Sequence, residues 1–179
     1  LSLGGKRILG IDLDLRHTSL SKLVDNPKQG LTSYLCGATD DIDSVILHNQ
    51  FDGSVDILPV GVVPPNPTEL LQSDVMGKLF EKLKKEYDVV LVDCPPIDIV
   101  ADTNIVKKYA DVSLFVVRVG LMDRRLLKEV DKLYQRKTYN KMAIVLNGSQ
   151  YVSTRYGHYR YGYTYGYGYG YGYGYHEKS

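Results

Sequence analysis

The chain has 179 residues and a formal net charge of +1, because 22 lysines and arginines nearly balance 21 aspartates and glutamates. This balance, without a long basic run, argues against nucleic acid as a main partner. Two distant cysteines, Cys36 and Cys94, argue against a disulfide scaffold or a zinc site, and the lack of a membrane-length apolar run or a signal peptide predicts a soluble cytosolic chain.

The first 150 residues alternate short apolar runs with amphipathic segments, which predicts one α/β domain with a mostly parallel sheet flanked by helices. Pro67 suits the first turn of a helix capped by Asn66, and Gly77 marks a weak point between two helices. The predicted strands are Arg7–Leu13, Val55–Val60, Val89–Val92, Val112–Val119 and Met142–Leu146, and the predicted helical segments are Leu20–Val24, Leu31–Leu35, Thr68–Tyr87, Asn104–Tyr109 and Asp123–Gln135.

Acidic residues follow the first predicted strand, at the end where parallel sheets bind their ligands. Asp12 and Asp14 are two residues apart on an extended segment and therefore point the same way, with Arg16 close by. They could hold a metal-bound water, or one of them could accept a proton as a general base. A solvated strand end with an incidental Asp–Arg pair explains the same residues.

Polar residues also follow two later strands. Asp93 comes directly after four apolar residues and has the form of a Walker B carboxylate, which holds Mg²⁺ through water in nucleotide-binding enzymes. Aspartate is also a common turn former after buried strands. Asn147, after the last strand, either meets a nucleotide base or forms a turn. The segment GVVPPNPTELL, which begins at Gly61, has three prolines that preset a rigid loop leading into a helix.

Residues 151–179 differ in composition from the rest of the chain, because tyrosine recurs at nearly every second position from residue 161 and the spacers are almost all glycine. Glycine between the tyrosines disfavours a strand and favours a flexible chain. We therefore predict a mobile tail that presents phenol hydroxyls for modification or adhesion. Its tyrosines are Tyr151, Tyr156, Tyr159, Tyr161, Tyr163, Tyr165, Tyr167, Tyr169, Tyr171, Tyr173 and Tyr175.

Together these features resemble one family, the bacterial tyrosine kinases of capsule and exopolysaccharide synthesis, which have a P-loop NTPase fold of the deviant-Walker subgroup. ILGIDLDLR, from Ile8, is similar to the family's Walker A′ motif. VVLVDCPP, from Val89, is similar to its Walker B motif, where threonine is commoner than Cys94. GVVPPNPTELL is similar to the family's proline-rich segment, and the tyrosine cluster to its autophosphorylated tail. The four matches follow the family's order along the whole chain.

The resemblance implies ATP and Mg²⁺ as cofactors and assigns roles to the strand-end residues. Asp12 and Asp14 would organise Mg²⁺ and water, with Asp12 as the base for the incoming tyrosine hydroxyl, and Asp93 would hold the Mg²⁺ shell. Arg16 would contact phosphate or a neighbouring subunit, and Asn147 the nucleotide. The acceptors would be the tail tyrosines of an adjacent protomer.

The resemblance also implies partners and a location. These are neighbouring protomers in a homo-oligomeric ring, a transmembrane adaptor of the polysaccharide co-polymerase type (fused or separate) and a cognate tyrosine phosphatase. The kinase would work at the cytoplasmic face of the bacterial inner membrane, without nucleic acid as a partner.

One family motif does not occur in the sequence, namely the P-loop pattern G-x-x-x-x-G-K-[ST]. We therefore expect residues 1–150 to be a partial kinase domain without its first strand, P-loop and following helix, and to be inactive as an isolated chain. A natural pseudokinase that serves only as a phosphoacceptor is an alternative. A third reading is a Tyr/Gly-rich adhesive protein, whose tail would self-associate without ATP.

Overall fold

The structure, a computed structural model, describes residues 4–15, 17–53, 55–65, 67–96, 105–121, 123 and 125–148. All five predicted strands are present, with ends within two residues of those predicted. In chain order the elements are β1 (Ile8–Asp12), α1 (Ser19–Lys22), α2 (Leu31–Leu35), a 3₁₀ turn (Asp43–Val45), β2 (Leu47–Asn49), α3 (Gln50–Gly53), β3 (Val55–Leu58), α4 (Pro67–Gln72), α5 (Asp74–Glu86), β4 (Val89–Asp93), a 3₁₀ turn (Lys107–Tyr109), β5 (Ser113–Arg118), α6 (Leu126–Gln135) and β6 (Met142–Asn147).

The strands form a four-stranded sheet in the order β2-β3-β1-β4 and a two-stranded sheet of β5 and β6. β1 pairs in parallel with both β3 and β4, and β5 pairs in parallel with β6. Only the short β2 is antiparallel to its neighbour among the strand pairs that the structure describes. The prediction of an α/β fold with a mostly parallel sheet is confirmed.

The core lies around β1, whose five residues are all buried because the strand has a neighbour on each side. Helix α5 packs on this sheet through a stripe with helical spacing, in which Met76, Leu79 and Leu83 are fully buried. Each such side chain contributes about 1.5–3 kcal/mol relative to exposure. The same cluster includes Leu9, Ile11, Leu13, Leu31, Leu35, Ile42, Val45, Leu58, Val60, Leu71 and Phe80.

The long helix predicted from Thr68 to Tyr87 divides at Ser73 rather than at Gly77. Ser73 is extended at ψ 153°, and its hydroxyl donates to the carbonyl oxygen of Leu70 at 2.7 Å. A serine hydroxyl that bonds the local backbone in this way competes with the helical hydrogen bonds, so a new helix begins after it. Gly77 lies inside α5. Pro67 begins α4 as predicted, whereas its proposed cap, Asn66, lies outside the described residues.

Three further parts of the sequence prediction need correction or lie partly outside the described residues. Neither β2 nor α3 was predicted, because a three-residue strand carries almost no periodic signal. Of the helical segment predicted at Asn104–Tyr109, Asn104 lies outside the described part of the chain, and Lys107–Tyr109 forms a 3₁₀ turn. α6 begins at Leu126 rather than Asp123, and its apolar stripe is not buried, since Leu127 is 43 % exposed.

No helix in the described ranges is both long enough and apolar enough to cross a membrane.

Candidate active site

The parallel pairing of β1 and β4 brings two predicted site residues together. Asp12 and Asp93 are register partners at the carboxyl ends of these strands, and the Leu13 N–H donates to the carbonyl oxygen of Asp93 at 2.8 Å. Partners on adjacent strands lie about 4.8 Å apart and point to the same face of the sheet. The two carboxylates are therefore neighbours, although 81 residues separate them in the sequence.

Asp12 is fully buried and accepts hydrogen bonds from three donors. The Asp14 N–H donates to Oδ1 at 3.1 Å, while the N–H and the hydroxyl of Ser21 both donate to Oδ2 at 2.7 Å. Burying a carboxylate is costly unless donors of this kind compensate it. Asp12 therefore anchors α1 to the end of β1, and Oδ1 is the oxygen with more capacity left to bind another group.

Ser21 extends this anchor to the next strand, and the sequence prediction missed it. Its hydroxyl donates to Asp12 and accepts the N–H of Val60, just beyond β3, at 2.9 Å. The Val60 carbonyl in turn accepts the Thr32 hydroxyl at 2.9 Å. No local pattern could have revealed this network, because its members come from four separate segments. One buried serine thus joins the carboxyl ends of β1 and β3.

Asp14 is buried just after β1, and two of its contacts are with His17. Oδ1 accepts the His17 N–H at 3.0 Å, and Oδ2 lies 3.5 Å from the His17 ring nitrogen Nδ1. β1 ends at Asp12 and a turn begins at Leu15, so Asp14 lies between the strand and the turn. The turn still keeps both carboxylates beside Asp93.

Asp93 is the exposed member of the three. Partial removal from solvent, followed by the negative charges of Asp12 and Asp14, raises the pKa of the Asp93 carboxyl above its ordinary value. The same surroundings act on the next residue, because burial and then the charges of Asp93, Asp14 and Asp12 raise the pKa of the Cys94 thiol to about 12. Cys94 is therefore a neutral thiol at physiological pH, not a nucleophile.

The donor set fits a hard divalent cation bound through water. Oxygen ligands are those that Mg²⁺ prefers, and Mg²⁺ usually keeps several waters and uses one or two carboxylates. Burial is the largest cause of the raised pKa of Asp93, and the negative charges of Asp12 and Asp14 add to it; such a cation would relieve this second effect. Within the described residues, no group of three or more His, Cys, Asp or Glu side chains is arranged so that it could hold a metal ion, so a cation here would depend on water for most of its ligands.

Of the remaining predicted site residues, only Asn147 belongs to the described part of the chain. Asn147 is the exposed last residue of β6 and the register partner of Arg118, and it forms no described hydrogen bond with the three aspartates. Arg16 lies outside the described residues, as do residues 149–179 with all eleven tail tyrosines. Their roles stay predictions.

The sequence of this chain is similar to a known domain family and to known bacterial proteins. A family described as AAA domain matches residues 1–144. A protein of Klebsiella pneumoniae named for a tyrosine-protein kinase in its cps region is 37 % identical over 83 % of this chain and 20 % of its own length. The tyrosine-protein kinase CpsD of Streptococcus agalactiae is 31 % identical over 89 % of this chain and 69 % of its own length.

Solved structures agree with the fold. The kinase domain of the Escherichia coli tyrosine kinase ETK superposes with a TM-score of 0.75 and 34 % identity, covering 92 % of this chain and 63 % of that domain. The septum site-determining protein MinD of Pyrococcus horikoshii, solved with Mg-ADP, has a TM-score of 0.62 at 22 % identity over 81 % of this chain and 59 % of its own, and shows the fold alone. The fold is thus that of the P-loop NTPases.

Proposed function

Because this chain belongs to the bacterial tyrosine-protein kinases of capsule regions, we propose that it is part of an ATP-dependent autokinase that phosphorylates the tyrosine-rich tail of a neighbouring copy. The observation that carries the proposal is the convergence of Asp12, Asp14 and Asp93 at one edge of the sheet. This chain spans 20 % of the Klebsiella relative's length, so the activity proposed is that of a larger protein.

The proposed reaction is phosphoryl transfer from ATP to a tyrosine hydroxyl. The phenol oxygen forms a bond to the γ-phosphorus, the bond from that phosphorus to the bridging oxygen breaks, and ADP leaves with the electron pair. When bound, Mg²⁺ neutralises charge on the phosphate oxygens. Asp12 and Asp93 would hold its hydration shell through water.

Asp12 is the proposed acceptor of the phenol proton. Oδ2 is occupied by both donors of Ser21, whereas Oδ1 accepts only the Asp14 N–H. Oδ1 is therefore the atom to which we assign the proton. The Ser21 bonds hold the carboxylate in one orientation, which preorganises it for a transfer that depends on hydrogen-bond distance.

The tail supports the proposal through its composition. A glycine-rich tether would raise the local concentration of acceptor tyrosines near a neighbouring active site without requiring one register. Each phosphate adds about −1.5 to −2 charges, so eleven sites add about −16 to −22. Repulsion between such tails would loosen a ring of subunits, and dephosphorylation by a tyrosine phosphatase would restore it.

We also propose a biological setting, which is supported by the cps region in the name of the Klebsiella relative. We place the complete kinase at the cytoplasmic face of the inner membrane, beside a transmembrane adaptor of the polysaccharide co-polymerase type. There its phosphorylation cycle would regulate polymerisation and export of a capsular or extracellular polysaccharide. An oligomer size that is unchanged when a phosphatase strips the tail would count against this cycle.

A second candidate is a phosphoacceptor module without catalytic activity of its own. It is favoured by one observation, that G-x-x-x-x-G-K-[ST] does not occur in the 179 residues. Such a module would keep the fold and the tail but would be phosphorylated by another kinase.

Intact mass spectrometry after phosphatase treatment and then Mg-ATP separates the two candidates. It should be run on this chain, on the longest protein that its gene encodes, and on this chain mixed with the E. coli ETK kinase domain. A ladder of phosphate masses on the longest protein supports the autokinase. A ladder that appears only with ETK supports the acceptor module, and no ladder in any sample refutes both.

Two variants of the longest protein then test the site. Asp12→Asn should slow phosphorylation at least about 100-fold if Asp12 is the general base. The matched control is Asp111→Asn, at an exposed aspartate paired with Lys84. Rates are compared at a temperature at which circular dichroism shows both variants to be folded, and equal rates for the two variants would refute the assignment.

A further inference from the structure

The proline-rich segment between β3 and α4 presents a row of apolar side chains to solvent. Val62 is 66 % exposed and Val63 is 40 % exposed. Pro64 is half-buried, and Pro65 is exposed. A single exposed apolar side chain is ordinary, whereas a contiguous group of them marks a binding surface. We call residues 62–65 the VVPP surface.

The sequence makes the VVPP surface stiff. Each proline ring fixes its own φ angle at about −65°, and the residue before a proline is restricted to extended conformations. Val63 and Pro64 both precede a proline, so the segment is extended before any partner binds. Binding to a preformed extended segment costs little conformational entropy, and aromatic side chains are the groups that recognise segments of this kind.

Backbone contacts hold the start of the VVPP surface in place. The Val62 N–H donates to the carbonyl oxygen of Lys28 at 3.1 Å. Just before it, Gly61 packs so closely against Gly30 that a Cβ added at Gly61 would lie 2.8 Å from the Gly30 nitrogen. The VVPP surface is therefore anchored to the loop that precedes α2.

The VVPP surface begins close to the proposed general base. The Val60 N–H donates to the Ser21 hydroxyl at 2.9 Å, and the same hydroxyl donates to Asp12 at 2.7 Å. Val62 follows Val60 by two residues, which span at most about 7 Å. A polypeptide bound to the VVPP surface consequently lies beside the edge of the sheet where Asp12 stands.

The tyrosine-rich tail is complementary to this surface in chemistry and in spacing. Residues 161–175 have a tyrosine at every second position, and neither this stretch nor residues 62–65 contain a charged residue. A tyrosine ring buries a large apolar area while its hydroxyl stays available to a polar partner. Alternate side chains are about 6.6 Å apart in an extended chain and about 6.2 Å apart in a polyproline-type segment. Two successive rings of the tail therefore match the VVPP surface.

We propose that the VVPP surface docks the tyrosine-rich tail of a neighbouring copy and thereby selects it as the substrate. The tail's role as substrate rests on the proposed function, whereas docking requires no phosphoryl transfer. Residues 149–179 span at most about 100 Å when extended, which is enough to reach an adjacent copy. Because the tyrosines repeat every two residues, a shift of two residues brings the next hydroxyl towards Asp12 on the same surface.

Fluorescence anisotropy tests the docking without ATP. A labelled peptide with the sequence of residues 161–175 is titrated with the full 179-residue chain, whose own tail competes equally in every variant. The double substitution Val62→Ser/Val63→Ser should weaken binding at least about tenfold, because it removes apolar area from the surface. The matched control is Val112→Ser/Val119→Ser, at two valines that are also exposed. Circular dichroism checks that both variants are folded.

Two altered peptides identify what the surface recognises. A peptide with phenylalanine at every tyrosine position keeps the rings and should bind the parent chain within about threefold of the original, since the packing is apolar. A peptide with serine at those positions should bind at least about tenfold more weakly. Equal binding of the serine peptide, or unchanged binding of the original peptide to Val62→Ser/Val63→Ser, would overturn the proposal.

Photo-crosslinking locates the bound tail in the full chain. Val62→p-benzoylphenylalanine is introduced into ¹⁵N-labelled chain, which is mixed with unlabelled chain and irradiated. Cross-links from labelled residue 62 to unlabelled residues 151–175 support docking between copies. Cross-links to the tail of the same chain alone would overturn the assignment to a neighbouring copy. Cross-links to residues 4–148 of a second copy would show a subunit interface instead and overturn the proposal.

Kinetics of the longest protein that the gene encodes separate this proposal from the proposed function. With the peptide as substrate, Val62→Ser/Val63→Ser should raise KM at least about tenfold and leave kcat within about twofold, because the lost contacts bind substrate and transition state alike. An unchanged KM would overturn the role in substrate selection. If the peptide binds through the VVPP surface but no phosphate is transferred by the parent protein, the docking stands and the kinase function fails.

Discussion

Replacing Ser21 with alanine tests the buried network that holds the candidate active site. The substitution removes a 2.7 Å hydrogen bond to the Asp12 carboxylate and leaves the buried Val60 N–H without its 2.9 Å acceptor. A bond to a charged group is worth about 1.5–3 kcal/mol, and an unsatisfied buried donor costs about 1–3 kcal/mol. The two effects share one hydroxyl and do not add fully, so we expect a loss of about 3 kcal/mol in the free energy of unfolding.

Urea denaturation followed by circular dichroism measures this loss. For a domain of this size, about 3 kcal/mol corresponds to a melting temperature lower by about 6–12 °C. Ser19→Ala is the matched control, because Ser19 is an exposed residue of the same helix. If Ser21→Ala costs no more than Ser19→Ala at an unchanged m-value, the buried network does not stabilise the fold and the reasoning is refuted.

A double-mutant cycle identifies the partner. Asp12→Asn in the Ser21→Ala background should cost less than in the parent, because the hydroxyl that binds the carboxylate is already gone. A coupling free energy of about 1 kcal/mol or more is expected for residues in one hydrogen-bond network. Additive losses would show that Ser21 and Asp12 act separately.

Three further predictions concern stability. Asp93→Asn should raise the urea midpoint at pH 7, because folding raises the pKa of this carboxyl and its ionised form therefore destabilises the native state. At a pH low enough to protonate the carboxyl in both the folded and the unfolded chain, the substitution should bring no gain. An equal gain at both pH values would contradict this prediction. Tyr87→Phe should cost about 1 kcal/mol in urea denaturation, since the hydroxyl donates to Asp56 at 2.8 Å, and no loss would show that the bond contributes nothing. Gly30→Ala should lower the melting temperature by several degrees more than the control Gly4→Ala. A Cβ at Gly30 would come within 2.3 Å of a backbone carbonyl oxygen, whereas a Cβ at Gly4 would meet no atom within 4 Å. Similar melting temperatures for the two variants would refute the close approach.

The strands and two of the site carboxylates were predictable because their signals are local. Apolar runs such as VVLVD are read directly from the chain, and Asp12 and Asp93 mark the points where such runs end. Parallel pairing then requires these ends to meet at one edge of a sheet, which the register of β1 and β4 confirms. The family resemblance added roles to these positions, which remain proposals.

The sequence prediction placed the break between α4 and α5 at Gly77 instead of Ser73, because it used helix propensity alone. Glycine lowers helix propensity by about 1 kcal/mol, which predicts a weak point at Gly77. Burial of the neighbouring Met76 and Leu79 outweighs that cost, whereas the Ser73 hydroxyl removes a carbonyl from the helix and ends it.

The sequence by itself determined the alternation of strands and helices, the acidic strand ends and the tyrosine-rich segment, since each depends on residues close together in the chain. Tertiary structure alone decided that Ser21 joins Asp12 to Val60, and that residues of β4 and β5 line one cavity. Both arrangements depend on which distant backbone groups pair. Periodicity shows that a strand exists and which residues it would bury, but hydrogen-bond partners are chosen only when the whole sheet assembles.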